Sequence, residues 1–483
     1  MTLLSRLLPL TTACLCLCLL AVPGLARSEV KLEAGAAVSN ITPPLGTMIV
    51  GNLNRPPAEH VHDELHARCL VVRSGDTTLA FVVCDVLGLS TSVSEEARAQ
   101  IESATGIPKA NVLISATHTH SAGTAVGTRR NVYDAPLDDY QVFLARRIAD
   151  GVRRAHNLLR PAEVAFGTVD IPEHVHNRRW VMKDGTARAN PFGKIEKVKM
   201  NPPRASENLV EPAGPIDPTL SFVAFREPEG RLISLLAAYS LHYVGGVRGP
   251  VISADYFAVF SEHLKSLVAG PPTPAEAPFV AMMANGTSGD INNINFREKS
   301  KKRAPYEQMT YVGKDVAEKV HGALDGLEWK KEATLDARYL DLPIQRRDYP
   351  ADLQAWAKKT LATEPPAGRI SSPHNFAARV VALAKLDKDV TLPLQHLRIG
   401  DIGIGTFPIE VFAETGLEFK EKSPVKHAFM ISLAHGYNGY LPTPRHMALG
   451  GYETWPGANH FEPQASVKMM EALLKMAGES LGE

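Results

Sequence analysis

The sequence predicts an α/β fold in which a layered mixed sheet carries helices on its faces. Apolar, strand-like runs alternate with amphipathic helical patterns along the chain of 483 residues. The composition is that of an ordinary globular protein, with 45% hydrophobic and 22% charged residues. The 36 glycines and 35 prolines indicate many loops and turns, which suits an active site built from loops on a rigid scaffold.

The predicted elements alternate in a regular way along the chain. A continuous apolar strand at 78–89 precedes a helix at 94–106, for which Gly106 is the expected C-cap. Further strands are predicted at 111–120, 162–171, 221–227, 231–242, 277–290, 396–412 and 428–436, and further helices at 138–159, 255–269, 306–327 and 464–478. No internal repeat is evident in the residues.

Residues 1–26 are predicted to be a signal peptide that is removed on export. Arg6 supplies the positive start, the segment 7–22 is apolar, and the small residues Gly24 and Ala26 offer a cleavage site. The apolar run is short for a membrane-spanning helix, so we expect an exported protein, periplasmic or secreted. An uncleaved membrane anchor and a lipoprotein attached through an N-terminal cysteine are the alternatives.

The remaining chain, 27–483, is predicted to form a single catalytic domain. Residues 180–218 are rich in Pro, Gly and Lys without clear periodicity, which indicates a long surface excursion. Residues 345–390 contain helical patches and few strand signals, and they are interpreted as a helical insertion.

Charge and cysteine content exclude several classes of function. The formal net charge is zero, so the charge balance gives no reason to expect nucleic acid as a partner. Beyond the predicted signal peptide, Cys69 and Cys84 remain, both in apolar runs where buried free thiols are expected. Two cysteines are too few for a disulfide framework or for a zinc site built from cysteine.

Many polar residues share one placement, directly after an apolar strand. If the strands are parallel, these side chains converge at the edge where α/β sheets bind their ligands. The set comprises Asp85, His118, His120, His242, Asn285, Asp290, Glu410, Tyr437 and Tyr440. In the stretch "VLISATHTHSAG", His118 and His120 point the same way if the strand persists through Thr119.

Imidazoles, a carboxylate and phenols form a donor set that suits zinc, which accepts His nitrogen and Asp or Glu oxygen. A catalytic zinc keeps one position for water and lowers the pKa of that water. Purely structural interpretations also exist: His242 as a hydrogen-bonded core residue, and Glu410 as a carboxylate near a helix N-terminus. A serine nucleophile at Ser288 is a further alternative, although "GTSG" departs from the G-x-S-x-G pattern.

Several stretches, taken in order, resemble the neutral (non-lysosomal, alkaline) ceramidases and their bacterial relatives. They lie between residues 35 and 453: "GAAVSNITPPLG", "DELHARCLVV", "ATHTHSAG", "HNRRW", "SLHYVGG", "ISADYFA", "NGTSGDINN", "FPIEVFAETG" and "GYNGYLPTPRHMALGGYE". The resemblance implies a neutral-ceramidase-like catalytic domain of α/β fold, with one zinc ion, that hydrolyses the amide bond of N-acyl sphingosines.

The resemblance also implies roles for individual residues. It implies zinc ligands at His118, His242, Glu410 and Tyr440. It implies further site residues at His120, near the substrate head group, at Arg178, which lines the site, and at Tyr452, a catalytic tyrosine. Asp85 and Asp290 are candidates for orienting the histidines, with strand-end capping as the alternative.

Two features depart from the family pattern. Asn292 in "GDINNI" stands where the family's Gly-Asp-Val-Ser-Pro-Asn hexapeptide has its serine. If a zinc-activated water attacks the amide, Asn292 can still hydrogen-bond the substrate and hydrolysis is retained, but the change bears on ceramide specificity. Full-length members of the family also carry a C-terminal immunoglobulin-like domain, which we expect this sequence to lack.

The predicted function is therefore that of a zinc-dependent amidohydrolase on ceramide or a related N-acyl lipid, with peripheral membrane contact. It would release a fatty acid and an amine. Two alternatives stay open: a zinc amidase or esterase on a non-sphingolipid substrate, and a secreted, metal-stabilised binding protein without turnover. Bound zinc without hydrolysis would distinguish the binding protein from the enzymes.

Overall fold

The computed structural model describes residues 31–51, 56–127, 136–187, 189–268, 277–364 and 372–482. The predicted signal peptide lies outside the described residues. The chain from Lys31 onward forms one compact unit. Within the described ranges, no helix is both long enough and apolar enough to cross a bilayer.

The strands and helices of the described ranges are as follows. The strands are β1 (Leu32–Asn40), β2 (Ile49–Val50), β3 (His60–Val61), β4 (His66–Ser74), β5 (Thr77–Cys84), β6 (Val112–Ala116), β7 (Ala122–Gly123), β8 (Arg160–Pro161), β9 (Glu163–Asp170), β10 (His176–Asn177), β11 (Arg179–Met182), β12 (Val198–Met200), β13 (Leu209–Pro212), β14 (Thr219–Arg226), β15 (Leu232–Tyr239), β16 (Val251–Ile252), β17 (Val280–Asn285), β18 (Ile291–Asn292), β19 (Leu335–Gln345), β20 (Asp389–Ile399), β21 (Ile402–Thr406), β22 (Glu410–Val411), β23 (His427–Ile431) and β24 (Tyr440–Leu441). The helices are α1 (Thr91–Thr105), α2 (Asp139–Asn157), α3 (Tyr256–Leu267), α4 (Glu307–Gly322), α5 (Ala351–Leu361), α6 (Ser372–Leu383), α7 (Ala413–Lys422), α8 (Pro444–Leu449) and α9 (Ala465–Glu479).

One topology occurs three times along the chain. In each unit, three antiparallel strands form a meander, a crossover helix follows, and a fourth strand pairs in parallel with the third. The strands run β1-β4-β5-β6 in the first unit, β9-β14-β15-β17 in the second and β19-β20-β21-β23 in the third. The crossover helices are α1, α3 and α7, and a further helix, α2, α4 or α9, follows each fourth strand. The structure thus contains a repeat that the residues do not reveal, within the predicted mixed α/β architecture, which is confirmed.

The three sheets share one apolar cluster, which we call the central cluster. It includes Phe81 and Leu113 from the first sheet, Phe225 and Met282 from the second, and Ile404 and Phe429 from the third. The outer face of each sheet is covered by the helices of its own unit. Strands buried on both faces need apolar side chains at every position, which is why they appear as unbroken apolar runs in the sequence.

Polar side chains fix the ends of the helices that cover the first sheet. Ser90 accepts a hydrogen bond from Val93 N at the start of α1, and Gly106, with φ of 75°, is the C-cap that the sequence predicts. Asp138 and Gln141 form a reciprocal capping box at the start of α2.

The two segments predicted to lie outside the layered core have their own structure. The stretch 180–218 contains strands of a small sheet with the order β12-β11-β13. The stretch 345–390 contains α5 and α6, which pack against each other around Ala357 and Val380.

The argument for convergence assumed parallel strands, but most neighbouring strands in the three sheets are antiparallel. Each unit contains one parallel pair, and these pairs are β5/β6, β15/β17 and β21/β23. The predicted strands also extend too far, because β5 ends at Cys84, β6 at Ala116 and β15 at Tyr239. The three histidines therefore lie on the loops that follow β6 and β15, whereas Glu410 and Tyr440 lie in the short strands β22 and β24.

Candidate active site

Three histidines and one glutamate, contributed by the three units, meet beyond the parallel strand pairs. His118 and His120 follow β6, His242 follows β15, and Glu410 follows β21. One ring nitrogen of each histidine lies within 4.8 Å of the others. Oε2 of Glu410 lies 3.3 Å from Nε2 of His118 and 4.0 Å from Nε2 of His242. The structure thus brings together four predicted site residues that are far apart in sequence.

His118 and His120 are brought together by a turn, and not by an extended strand as predicted. Because β6 ends at Ala116, the strand does not persist through Thr119, so strand alternation does not explain the convergence. His118 has a φ of 73°, a left-handed conformation that is uncommon for a residue with a side chain. A hydrogen bond from His118 N to Val86 O holds this turn. The turn still brings Nε2 of His118 to 3.2 Å from Nε2 of His120.

Backbone carbonyls orient two of the histidines. Nδ1 of His118 lies 2.7 Å from Leu87 O, and Nδ1 of His242 lies 3.2 Å from Ser288 O. Since a carbonyl can only accept, Nδ1 carries a proton in both rings, and in the neutral imidazole Nε2 is then the nitrogen with the lone pair. Oε2 of Glu410 is buried and has no hydrogen-bond partner among the described residues. Three lone pairs that face one space form a donor set that can hold a divalent cation.

The two aspartates considered as orienting groups bind other partners. Asp85 accepts a hydrogen bond from Arg68 Nη1 at 2.6 Å. Asp290 accepts from Asn177 Nδ2 at 2.8 Å and from Ala413 N, the first residue of α7, at 2.9 Å. Both aspartates therefore hold the scaffold, in line with the capping alternative, and backbone carbonyls orient the histidines.

Two tyrosines after β23 approach Glu410 in different ways. The hydroxyl of Tyr437 donates to Oε1 of Glu410 at 3.2 Å. Tyr440 pairs in register with Glu410 in the short parallel ladder of β22 and β24. Burial and then the charge of Glu410 raise the pKa of Tyr440 well above its usual value, while Arg178 lowers it. Sequence reasoning placed Tyr437 among the strand-end residues but gave it no role in the site.

A buried ion cluster supports Arg178. Glu453 accepts a hydrogen bond from Arg178 Nε at 2.9 Å and from Arg179 Nη1 at 2.6 Å. The guanidinium of Arg178 lies 5.4 Å from the ring centre of Tyr440, and Tyr452 packs edge-on against the same ring at 5.6 Å. Sequence reasoning missed Glu453. The pair of arginines in "HNRRW" is the signal that could have found it, because buried cations need a carboxylate partner.

With this geometry established, comparison with known proteins identifies the family. The sequence model described as neutral/alkaline non-lysosomal ceramidase, N-terminal, matches residues 34–333, which is more than half of the chain. The chain belongs to the neutral/alkaline non-lysosomal ceramidase family. Its membership of this ceramidase family makes it a hydrolase of amide bonds.

Two solved ceramidase structures share the fold. The crystal structure of neutral ceramidase from Pseudomonas aeruginosa superimposes with a TM-score of 0.66 at 18% identity, covering 93% of this chain and 74% of that chain. A ceramidase complexed with C2 gives a TM-score of 0.68 at 17% identity, covering 93% of this chain and 75% of that chain. No curated protein matches the sequence significantly.

Burial keeps two histidines of this ceramidase-family site neutral. It lowers the pKa of His242 well below its usual value, and the charge of Arg178 acts in the same direction. It also lowers the pKa of His120 well below its usual value, followed by His118 and Arg178 as smaller causes. A neutral imidazole is the form that binds a metal ion or accepts a proton.

Asn292, at the position of the family serine, directs its side chain to other asparagines. It pairs with His176 across the short ladder of β10 and β18. Its amide donates to Asn201 Oδ1 at 3.2 Å, and its Oδ1 accepts from Asn293 Nδ2 at 3.3 Å. Among the described residues, its hydrogen bonds therefore go to other asparagines and not to the site histidines.

Ser288 supports His242 and does not act as a nucleophile. Its hydroxyl donates to Asn285 Oδ1 at 2.8 Å and lies 3.2 Å from Nδ1 of His242. Because Nδ1 of His242 already carries a proton, it cannot take the proton of Ser288. The weak serine alternative from the sequence thus lacks the base that it requires.

Proposed function

We propose that the protein is a zinc-dependent hydrolase that cleaves the amide bond of N-acyl sphingosines or of a related N-acyl lipid. The observation that carries this proposal is the convergence of Nε2 of His118, Nε2 of His242 and the unpartnered Oε2 of Glu410. These are donor types that zinc accepts, and their lone pairs are available. The amide chemistry follows from family membership.

These residues fit a zinc ion, with Tyr440 as the proposed fourth ligand. Bound there, zinc would polarise the substrate carbonyl and lower the pKa of a water molecule. Burial and Glu410 hold the pKa of Tyr440 well above its usual value, and Arg178 opposes them, which favours the ionised phenol that a cation attracts. Tyr437 holds the other oxygen of Glu410, so that Oε2 is the oxygen left for the metal.

His120 is the residue placed to move a proton. Its Nε2 lies 3.2 Å from Nε2 of His118, at the edge of the proposed metal site. A neutral imidazole there can take a proton from the attacking water and return it to the leaving amine. Arg178, fixed by Glu453, and Tyr452 line the adjoining wall, where they can orient the head group of the substrate.

The test combines metal analysis with substrate profiling of the purified protein. We expect one zinc ion per chain and zinc-dependent release of fatty acid from ceramide. Glu410→Ala should lose the metal while remaining folded, whereas His120→Ala should keep the metal and lose turnover. Retention of zinc by Glu410→Ala would overturn the ligand assignment. Full zinc occupancy without hydrolysis of any substrate would indicate a binding protein instead.

A second candidate function is hydrolysis of a non-sphingolipid amide or ester by the same site. The position of Asn292 favours it, because the side chain that replaces the family serine is bound to Asn201 and Asn293. The substrate panel should therefore include N-acyl amides without a sphingoid base, and simple esters. A preference for these over ceramide would support the second candidate.

A further inference from the structure

We propose that Tyr243 and Gly51 clamp His120 in its working orientation, and that Asp255 is the positioning residue that holds Tyr243. The inference rests on the proton-transfer role proposed for His120. None of the three supporting residues is a proposed metal ligand, so they can be changed while His118, His242 and Glu410 stay intact.

The imidazole of His120 is held by a stacked ring and by close-fitting backbone. The ring of Tyr243 lies parallel to it, with 3.7 Å between ring centres and an angle of 16° between planes. A Cβ atom at Gly51, where φ is 118°, would lie 2.6 Å from Cγ and 2.8 Å from Nδ1 of His120. Glycine is therefore required, and its backbone leaves the imidazole no space to shift toward it. These two contacts keep Nε2 directed at His118.

Asp255 fixes the loop that begins at Tyr243. Its carboxylate accepts hydrogen bonds from Val244 N at 3.0 Å and from Gly245 N at 2.7 Å. These are the two amides that directly follow Tyr243, so the carboxylate determines where the tyrosine ring lies. The loop is held further on by a hydrogen bond from Tyr306 N to the carbonyl of Gly246.

The backbone of Asp255 is strained, which is the second observation behind the proposal. Its φ of 60° and ψ of −155° fall in a region that residues other than glycine rarely enter. Burial also raises the pKa of Asp255 to about 6. At neutral pH the carboxylate is ionised, and its burial in that form lowers the free energy of unfolding. Such features persist where the surrounding structure enforces them, and they cluster at functional sites.

Comparison with Asp138 separates this role from ordinary helix capping. Both aspartates begin helices, and Asp255 accepts from Tyr256 N at 2.6 Å as the cap of α3. Asp138 has an extended backbone, with φ of −81° and ψ of 171°, and pairs with Gln141 of its own helix. Asp255 instead directs two of its hydrogen bonds to the loop that carries Tyr243.

The first test measures the orientation of His120 without reference to turnover. The rate at which diethyl pyrocarbonate modifies His120 in the metal-free protein is followed by peptide mass spectrometry. We expect faster modification in Tyr243→Ala and in Asp255→Asn. Tyr243→Phe, which keeps the stacked ring, and Asp138→Asn, the matched cap control, should match the wild type. Unchanged reactivity of His120 in Tyr243→Ala would overturn the clamp.

The second test measures kcat and zinc content of the same variants. Loss of the clamp should lower kcat about 10- to 100-fold, since small misplacements of a catalytic group have effects of this size. Zinc content should stay at the wild-type level. If Asp255 acts through Tyr243, Asp255→Asn should add no further loss of kcat in the Tyr243→Ala background. Additive losses would overturn the positioning role.

A folding defect in Asp255→Asn, or failure of the proposed function, can be distinguished from failure of the clamp. If Asp255→Asn does not fold, Asp255→Glu keeps the charge but displaces the loop, and it is expected to give the same readings. If the wild-type protein hydrolyses no amide, the proposed function fails, while the reactivity of His120 still decides whether the clamp exists.

Discussion

The first and second units share a topology but distribute their polar residues differently. In the first unit, the strand that enters the crossover helix leads to Asp85, which binds Arg68, while the parallel edge strand leads to His118. In the second unit, the strand that enters the crossover helix leads to His242, while the edge strand leads to Ser288, which supports that histidine. The topology thus determines where such residues can meet, and it leaves open which strand end supplies the ligand.

Among the substitutions that test this comparison, the largest loss of zinc binding and hydrolysis is expected in the second unit. His242→Ala removes a proposed metal donor, so bound zinc and hydrolysis should both be lost. Ser288→Ala keeps Nε2 of His242 and removes only a supporting contact, so the affinity for zinc should fall about 10- to 100-fold. Zinc content by elemental analysis and competition with a chelator measure the two effects. Equal loss in both variants would show that Ser288 does more than support the ring.

A large effect of another kind is expected at the end of β5. Asp85→Ala leaves the buried guanidinium of Arg68 without the partner that it contacts at 2.6 Å. The free energy of unfolding should fall by about 3–5 kcal/mol, the usual consequence of breaking a buried ion pair on one side. Denaturant titration measures this change. Zinc content per folded chain should stay the same, and a folded Asp85→Ala protein without zinc would contradict the structural assignment.

The third unit offers a matched position for Arg68. Arg68 pairs with Val83, the next-to-last residue of β5, and His396 pairs with Gly405, the next-to-last residue of β21. Unlike Arg68, His396 has no hydrogen-bond partner among the described residues for either ring nitrogen. The same place in the repeated topology therefore holds a paired cation in one unit and an unpaired imidazole in another.

The smallest of the three effects follows from that imidazole. Burial lowers the pKa of His396 from 6.5 to about 4. The unfolded chain therefore binds a proton as the pH falls below 6.5, while the folded protein does not until about pH 4. Stability is lost across this window by up to about 3 kcal/mol. His396→Leu should lose less stability than the wild type between pH 7 and pH 4.5 in denaturant titrations. Equal losses of stability in both proteins would show that His396 is not the cause.

The helices were the most predictable elements because their periodicity is local. The predicted bounds 94–106 and 138–159 differ from those of α1 and α2 by at most three residues. The order of strands in the sheets could not be predicted, since pairing joins segments that are distant in sequence. The repeated topology stayed hidden for the same reason, because the units share a connection pattern and not a residue pattern.

Placement of the site residues was accessible from the sequence, but their supports were not. Polar residues after apolar runs, together with the family resemblance, singled out His118, His242 and Glu410. The groups that orient the two histidines are carbonyls of Leu87 and Ser288. Every residue has a carbonyl, so no side chain marks these positions in advance. The left-handed turn at His118 is likewise set by contacts with a neighbouring strand end, and not by local preference.

The central cluster has a consequence for how the protein is made. Its members extend from Leu32 to Ile431, and no sheet can complete its inner surface without the other two. A growing chain therefore cannot bury these surfaces fully until the third unit has been synthesised. Capture of a cation by residues from all three units would be a late event in biosynthesis, and it would tie the units together against unfolding.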